Sequence, residues 1–467
     1  MFEMISVVRR RFYIFCISLA LNCLPSLLGQ QVHAQSLNEA LARAYESNPT
    51  LEAARAQLRS VDEGVPIALA NWRPTVQVNA GYTGLDRYDS GGNANQNAAL
   101  SGQIASASYG ATITEPIYRG GRTVASTNQA NSEVRSYRSQ LVSTEEQVLM
   151  NAITSYLDVV RDDEALALSD GNEKTALQRL ESTKARNKAG ALSQLDLAQA
   201  EADYQSAVLQ RYNDNAVAAT SRANFERNIG VSPGVLIYPS QVPQLPASES
   251  TFIKTVLTEN QDLLAAQDDR DAASANVDVL FGQVLPEVDL VVQAQHSENQ
   301  SFIGEARNDF SAMARLTLNL YDGGALEAQV RQAKETVRMK TYQIEKNQAQ
   351  ALSDARTAWA QSQFTSMALP NALGQVDAYN RALEGTKRQV QDGEGTILDV
   401  INAEKSLFQA RLALIKLQHD EILSHYKILQ VMGMLTARNL DLAVDYYQPS
   451  QHYIAVKGKW FGYSDER

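Results

Sequence analysis

The sequence predicts an α+β chain, with four antiparallel strands and several very long helices shared between two structural repeats. Three observations carry this prediction. The first is internal similarity. Asn48-Pro49-Thr50-Leu51 returns as Asn260-Gln261-Asp262-Leu263, 212 positions on, and the same offset takes Pro74 of "NWRPTVQV" to Pro286 of "GQVLPEVDL". Beyond that point the offset is 203: "YRGG" at 118–121 becomes "YDGG" at 321–324, Gly190 becomes Gly393 and Gly230 becomes Gly433. A single length change of 9 residues between Pro74 and Tyr118 reconciles the offsets, and a variable loop is the natural place for it.

The second observation is alternation. In "PTVQVNAGYT", Val76, Val78, Ala80 and Tyr82 alternate with polar or small residues; in "MARLTLNLY", Ala314, Leu316, Leu318 and Leu320 do the same. With the weaker patterns beside them, strands are expected at about 74–83, 108–117, 286–295 and 311–320. The third is length. Residues 122–187 and 325–369 contain no proline, and Pro370 is expected to interrupt the second stretch. The first would span about 99 Å as helix.

The elements then follow in order. The N-terminus carries Arg9, Arg10 and Arg11, a broken apolar run, and Val32 and Ala34 at the −3 and −1 positions of a cleavage site. That pattern predicts an export segment at 1–34. Cys16 and Cys23, the two cysteines, both fall within it, so no disulfide or cysteine metal site is expected in the processed chain. Asn22 before Cys23 argues against a lipid anchor. After Ala34 no apolar run approaches the roughly 20 residues of a membrane helix.

The first repeat is placed at 35–250. It opens with helix over 37–70, bent or split at Pro49 and Pro66. Two strands and the long helix follow, then a turn at 188–194 and a return helix over about 194–229. The second repeat, 251–433, repeats this plan with its turn at 391–397, and a tail occupies 434–467. The return and opening helices, about 54 and 51 Å long, together match the long helix. The connections 84–107 and 296–310 are rich in Gly, Asn and Ser and are expected to be loops facing outside the cell. Alternation alone does not separate a lipid-facing strand from any half-buried one. Four strands cannot close even the smallest usual barrel, of about eight, so a lipid-embedded sheet would need several copies of the chain.

These residues resemble the TolC-like family of outer-membrane efflux and secretion channels. The signal-like N-terminus, "NPTL", "NWRPTVQV", "TEPIYRGG" with its partner "LTLNLYDGG", and two glycine-led turns, "GALSQLDLAQAE" and "GEGTILDVINAE", carry the resemblance. It implies a homotrimer that pools four strands per chain into a 12-stranded barrel, continued by a periplasmic tunnel of 12 helices. It implies a passive duct without cofactor, joined to a periplasmic adaptor and an inner-membrane pump of ABC, RND or MFS type.

By the same resemblance the two turns are the periplasmic tips. Gly190 and Gly393 reverse the chain, and Ser193 and Thr396 are expected to cap the returning helices with Asp196 and Asp399 three residues on. Asp399 corresponds to a gate aspartate of the family. A second gate aspartate is replaced by Asn402, and a gate arginine by Gly395; its threonine and aspartate partners correspond to Leu195 and Asp196. Gly190, Ala191, Leu192, Ser193, Gly393, Thr396, Ile397 and Leu398 are the expected adaptor contacts. A helix-start role alone would also explain either aspartate.

Other features read as structural. The histidines show no metal spacing. Asp162, Asp163 and Glu164 read as a solvated helix face, and Trp359 as packing. Tyr82, Tyr109, Tyr118 and Tyr321 are candidates for an interfacial aromatic belt. The tail shows no periodicity; packing around the middle of the tunnel is the expectation. A net charge of −11 argues against a general nucleic-acid surface. The alternative function is a periplasmic coiled-coil scaffold without a pore.

Overall fold

Each repeat begins with a helix broken by an asparagine. In the computed structural model, which describes residues 35–87, 102–239, 241–300 and 304–463, the first segment divides into α1 (Leu37–Ser47), α2 (Pro49–Asp62) and α3 (Gly64–Leu69). Asn48 accepts the Thr50 N–H at 2.9 Å, and Pro49 occupies the first turn, where its missing N–H has no helical partner to lose. In the second repeat Asn260 stands between α6 (Glu249–Glu259) and α7 (Gln261–Phe281) and accepts the Leu263 N–H at 3.1 Å. The expected export segment 1–34 lies outside the described residues.

One antiparallel sheet, β1 (Thr75–Arg87), β2 (Gly102–Arg119), β3 (Glu287–Glu298) and β4 (Ala306–Thr317), runs in sequence order with β1 and β4 at its edges. Its rows separate polarity. Val76, Ile113, Val292 and Ala312 lie side by side on one face; Gln77, Thr112, Gln293 and Ser311 form the next row on the other. Three expectations need correction. Pairing continues past Thr83 to Arg87 and starts at Gly102, so 84–87 and 102–107 are strand rather than loop, and residues 88–101 lie outside the described ones. The second connection shrinks from 296–310 to 299–305. Gly, Ser and Asn lower strand propensity, but a backbone ladder once begun can run on through them. At its other end β4 stops at Thr317 rather than 320, leaving Leu318, Leu320 and Tyr321 exposed, because no strand lies beside them.

The "YRGG" landmark is where β2 passes into α4 (Arg122–Lys188). Gly120 has φ of 59°, and a Cβ there would lie 2.2 Å from the Gly282 carbonyl oxygen, so only glycine fits. Arg119 and Arg122 both reach Glu287, at 3.0 and 2.6 Å, tying this junction to the start of β3.

The helix α8 (Ala325–Gln391) matches the 67 residues of α4 and does not stop at Pro370. That expectation was wrong for a local reason. Proline removes the N–H that would meet the Ser366 carbonyl, but Ser366 is exposed, so water can replace it. Next to it, the Asn371 side chain donates to Met367 O at 2.8 Å. The return helices are α5 (Gln194–Ile229) and α9 (Ile397–Val431), and the tail contains α10 (Pro449–Lys457).

Two units result. In the one comprising 35–40 and 155–241, the later part of α4 packs along α5. Tyr156 and Phe225 are fully buried with ring centroids 6.3 Å apart, and the Tyr156 hydroxyl lies 2.8 Å from Gln35 O and 2.9 Å from Ile237 O. Polar pairs cross the hairpin: Ser221 donates to Asp162, Arg222 to Asp163, Ser169 to Asp214, Arg211 to Glu173 and Arg179 to Asp203. Asp162, 5% exposed, therefore faces the partner helix, correcting the expectation of a solvated face.

In the unit of 41–154 and 242–463, α8 packs against α9, α7 and α6. Phe252, Val256, Ala351, Ala355, Ala358, Ile428, Val431 and Met432 form its core, with Trp359 stacked on Phe252 as expected. The tail helix α10 packs on α2 and α3, and Tyr453 donates to Asn131 at 2.9 Å. Farther back, Glu145 and Glu146 accept the Ala437 and Leu435 N–H groups at 2.7 and 3.2 Å. Burial is the largest cause pushing the Glu146 carboxyl up to about 8.

Candidate functional site: the hairpin tips

The tips are built by two signals acting in series, a stop and a restart. At the first, α4 ends with Gly190 at φ of 76°; its N–H bonds to Asn187 O and that of Ala191 to Arg186 O, both at 2.9 Å. At the second, α8 ends with Gly393 at φ of 83°, with Gly393 N–H to Val390 O at 3.3 Å and Glu394 N–H to Gln389 O at 2.9 Å. Both are Schellman closures, which satisfy the last carbonyls of a helix and require a left-handed residue.

The restart is a reciprocal capping box at both tips. Ser193 Oγ accepts the Asp196 N–H at 3.1 Å, while Asp196 Oδ2 accepts from the Ser193 N–H at 2.9 Å and its hydroxyl at 2.6 Å. Thr396 and Asp399 repeat this at 3.3, 2.8 and 2.7 Å. Hydrogen bonds from Ser193 and Thr396, side chain first and backbone second, hold both carboxyls below the usual aspartate range. Each aspartate is thus a stable anion at the positive end of a helix dipole.

The surroundings of the two boxes differ. Asp399 is exposed, and Asn402, also exposed, follows three residues on, so the two lie on neighbouring positions of one helix face. Leu195 and Leu398, beside the aspartates, are 66% and 41% exposed. Gly190, Ala191, Ser193, Gly393 and Thr396 are exposed, whereas Leu192, Gly395 and Ile397 are half-buried. A Cβ on Gly395 would lie 3.0 Å from Val390 Cγ2, so this glycine is tightly seated.

Asn187 was not singled out from sequence. Its amide donates to Leu192 O at 2.9 Å and its oxygen accepts from Gln194 at 3.4 Å, lacing the first tip. The corresponding positions in the second tip are Val390 and Ile397, which offer no such side-chain bonds. Among the described residues no His, Cys, Asp or Glu cluster is placed to hold a metal ion, and no helix is long and apolar enough to cross a membrane.

The chain is similar to known outer-membrane proteins over most of its length. The outer membrane efflux protein BepC of Brucella suis biovar 1 is 28% identical over 442 residues, covering 93% of each chain. Outer membrane protein TolC of Vibrio cholerae serotype O1 is 25% identical over 427 residues, covering 88% of this chain and 94% of that one. The Campylobacter jejuni CmeC outer membrane channel superposes with a TM-score of 0.77 at 15% identity, over 90% of this chain and 89% of that one, a likeness of fold. Residues 40–231 and 252–433, well over half the chain, match the family model described as outer membrane efflux protein, and the chain belongs to that family.

Proposed function

We propose that three copies of this chain close one 12-stranded barrel in the outer membrane, continued into the periplasm by a tunnel of 12 helices. Membership of the family makes the chain a passive outer-membrane exit duct with a long periplasmic helical extension. It performs no catalysis, so the energy for transport comes from elsewhere.

The observation that carries closure by several copies is the sheet with two open edges, and the count of three is what the family resemblance implies. A lipid-embedded edge leaves backbone donors and acceptors unpaired at several kcal/mol each, and lipid-spanning sheets are therefore closed. Four strands are too few for a barrel and twelve are ample. The apolar row of Val76, Ile113, Val292 and Ala312 would face lipid and the row of Gln77, Thr112, Gln293 and Ser311 the lumen. Tyr82, Tyr109, Tyr118 and Tyr321, all exposed, suit the interfacial belt. The hairpin ends at 88–101 and 299–305 would then face outside the cell, and the tail would ring the middle of the tunnel. A detergent-extracted particle with the mass of three chains is expected; a water-soluble monomer contradicts the reading and favours the pore-free scaffold.

At the other end the tips meet the periplasmic adaptor of an ABC, RND or MFS pump through Gly190, Ala191, Leu192, Ser193, Gly393, Thr396, Ile397 and Leu398, with Leu195 beside them. Asp399 from each copy forms an anionic ring at the mouth, with Asn402 supplying no second ring. Like charges repel, yet they draw cations to the opening. Reversal potentials at low salt, where screening is weak, test this. Asp399→Asn should reduce cation preference and Asn402→Asp should increase it. An unchanged preference in Asp399→Asn leaves that residue a helix cap and removes the ring.

A further inference from the structure

The strand that closes the barrel has a register that can be read from the chain's own repeats. The offset between repeats is 212 at the first strand and 203 from Tyr118 onward, and with the length change placed in the loop after β1 the value of 203 extends to the whole second strand. Applied to the first hairpin, they move Thr75↔Thr114 to Glu287↔Thr317, Val78↔Ala111 to Leu290↔Ala314, and Tyr82↔Ala107 to Ala294↔Phe310. Each of these is a pair found in the second hairpin. The two hairpins are therefore one structure used twice.

The pairing of β2 with β3 joins the second strand of one repeat to the first strand of the next. Its symmetry mate joins β4 to β1 of another copy. We infer that β4 of one protomer pairs with β1 of its neighbour in the register obtained by moving the β2–β3 ladder through the same offsets. Ile113↔Val292 becomes Leu316 opposite Ala80 of the next protomer; Ala111↔Ala294 becomes Ala314 opposite Tyr82; Thr114↔Val291 becomes Thr317 opposite Asn79. This rests on the proposed closure by several copies and adds the alignment.

Two observations support the alignment without having been used to obtain it. The first is facing. A slip of one residue would set every apolar side chain against a polar one. In the inferred register Leu318, Leu316 and Ala314 meet Val78, Ala80 and Tyr82, while Asn319 and Thr317 meet Gln77 and Asn79. The second is the early end of β4. Thr317 is the equivalent of Thr114, the last β2 residue that pairs with β1; beyond it, β2 continues to Arg119 against β3 alone. Residues 318–322 are thus the part of β4 whose only partner would be β1 of the next copy, and in the single chain they are not strand. Assembly would extend β4 to Asp322, with Leu320 bulged as Ile117 is where the β2–β3 register shifts between Pro116 and Tyr118.

Cysteine cross-linking tests this, helped by the location of Cys16 and Cys23 within the expected export segment. Pairs on both faces are needed because disulfide geometry is restrictive: Ala80→Cys with Leu316→Cys, and Asn79→Cys with Thr317→Cys. Shifted controls combine Leu316→Cys with Val78→Cys or Tyr82→Cys. In outer-membrane-extracted protein, oxidation of an aligned pair should convert most of the monomer band on a denaturing gel to covalent trimer, with little product from the controls. More trimer from a shifted pair overturns the register while keeping the closure. Linkage only within single chains, or no linkage for any pair in a particle that has the mass of one chain, overturns the closure itself. No linkage for any pair in an intact trimer overturns the β4–β1 pairing.

Discussion

At position 162 the first hairpin places an aspartate against Ser221; 203 residues on, the second places Thr365 against Ser424, two hydroxyls 3.4 Å apart. The same substitution of forces recurs along both hairpins. The Ser169–Asp214 pair corresponds to Ala372 and Leu417, Glu173–Arg211 to Val376 and Leu414, and Arg179–Asp203 to Ala382 and Ser406. Next to the tips the hairpins agree, with Lys184–Glu201 at 3.7 Å and Lys387–Glu404 at 3.9 Å. The lesson concerns what a duplicated architecture must keep. Backbone devices that set geometry (the Schellman glycine, the capping box, the asparagine break) recur in both copies. The side chains between the helices changed character, from hydrogen-bonded charged pairs in the first hairpin to small, apolar or hydroxyl residues in the second, because neither choice leaves a buried charge unpaired.

The largest effects should come where the two hairpins still agree in chemistry. Phe225 and Ile428 are equivalent by the 203 offset, and are 0% and 1% exposed. Phe225→Ala should cost about 3–5 kcal/mol and Ile428→Ala about 2–5 kcal/mol, read as lowered denaturation midpoints. A tolerated change at one site only would break the equivalence.

A smaller effect sharpens the contrast in forces. Asp203→Ser takes the carboxylate from Arg179, whose side chain is 14% exposed, and should cost about 2 kcal/mol, in the range for hydrogen bonds to charged groups. Adding Arg179→Ala installs the residues of the second hairpin and should restore most of that loss, since removing both members of a partly buried pair costs less than removing one. A double variant as unstable as the single one would mean that the first hairpin depends on charge in a way the second does not.

The smallest effects should be the same in both hairpins. Ser193→Ala and Thr396→Ala should each cost about 1 kcal/mol, visible as faster amide exchange in the first turns of α5 and α9. Asp196 and Asp399 have lowered folded values, so their capping contribution is complete above the unfolded aspartate value near 3.9. It is lost as pH falls through the lower folded value, and both turns should loosen together below about pH 4. Loss at one tip alone would show that the boxes are not equivalent.

Much of this plan is legible in the sequence because the repeat is written in residues with strict backbone duties. Gly190 and Gly393, Ser193-x-x-Asp196 and Thr396-x-x-Asp399 each specify a turn, and the two offsets carry the strand register between hairpins. The polar ladder was hidden for a different reason. Glu173 and Arg211 lie 38 positions apart and pair only once the turn at 190–193 folds the helices back; read locally, Asp162 looked like solvent-facing charge. Strand ends were obscured by Gly and Ser, which lower propensity without preventing pairing. Pro370 misled because the helix continues on both sides of the one bond it removes. Asn187 escaped notice since its role depends on a carbonyl five residues away, across the turn.

Single-channel recording tests the duct most directly. Protein extracted from outer membranes as a folded trimer and added to a planar lipid bilayer should give discrete, long-lived conductance steps that carry a steady ion current. An intact trimer that inserts into the bilayer and passes no current at any applied voltage or salt concentration would contradict a continuous passage through the pooled strands.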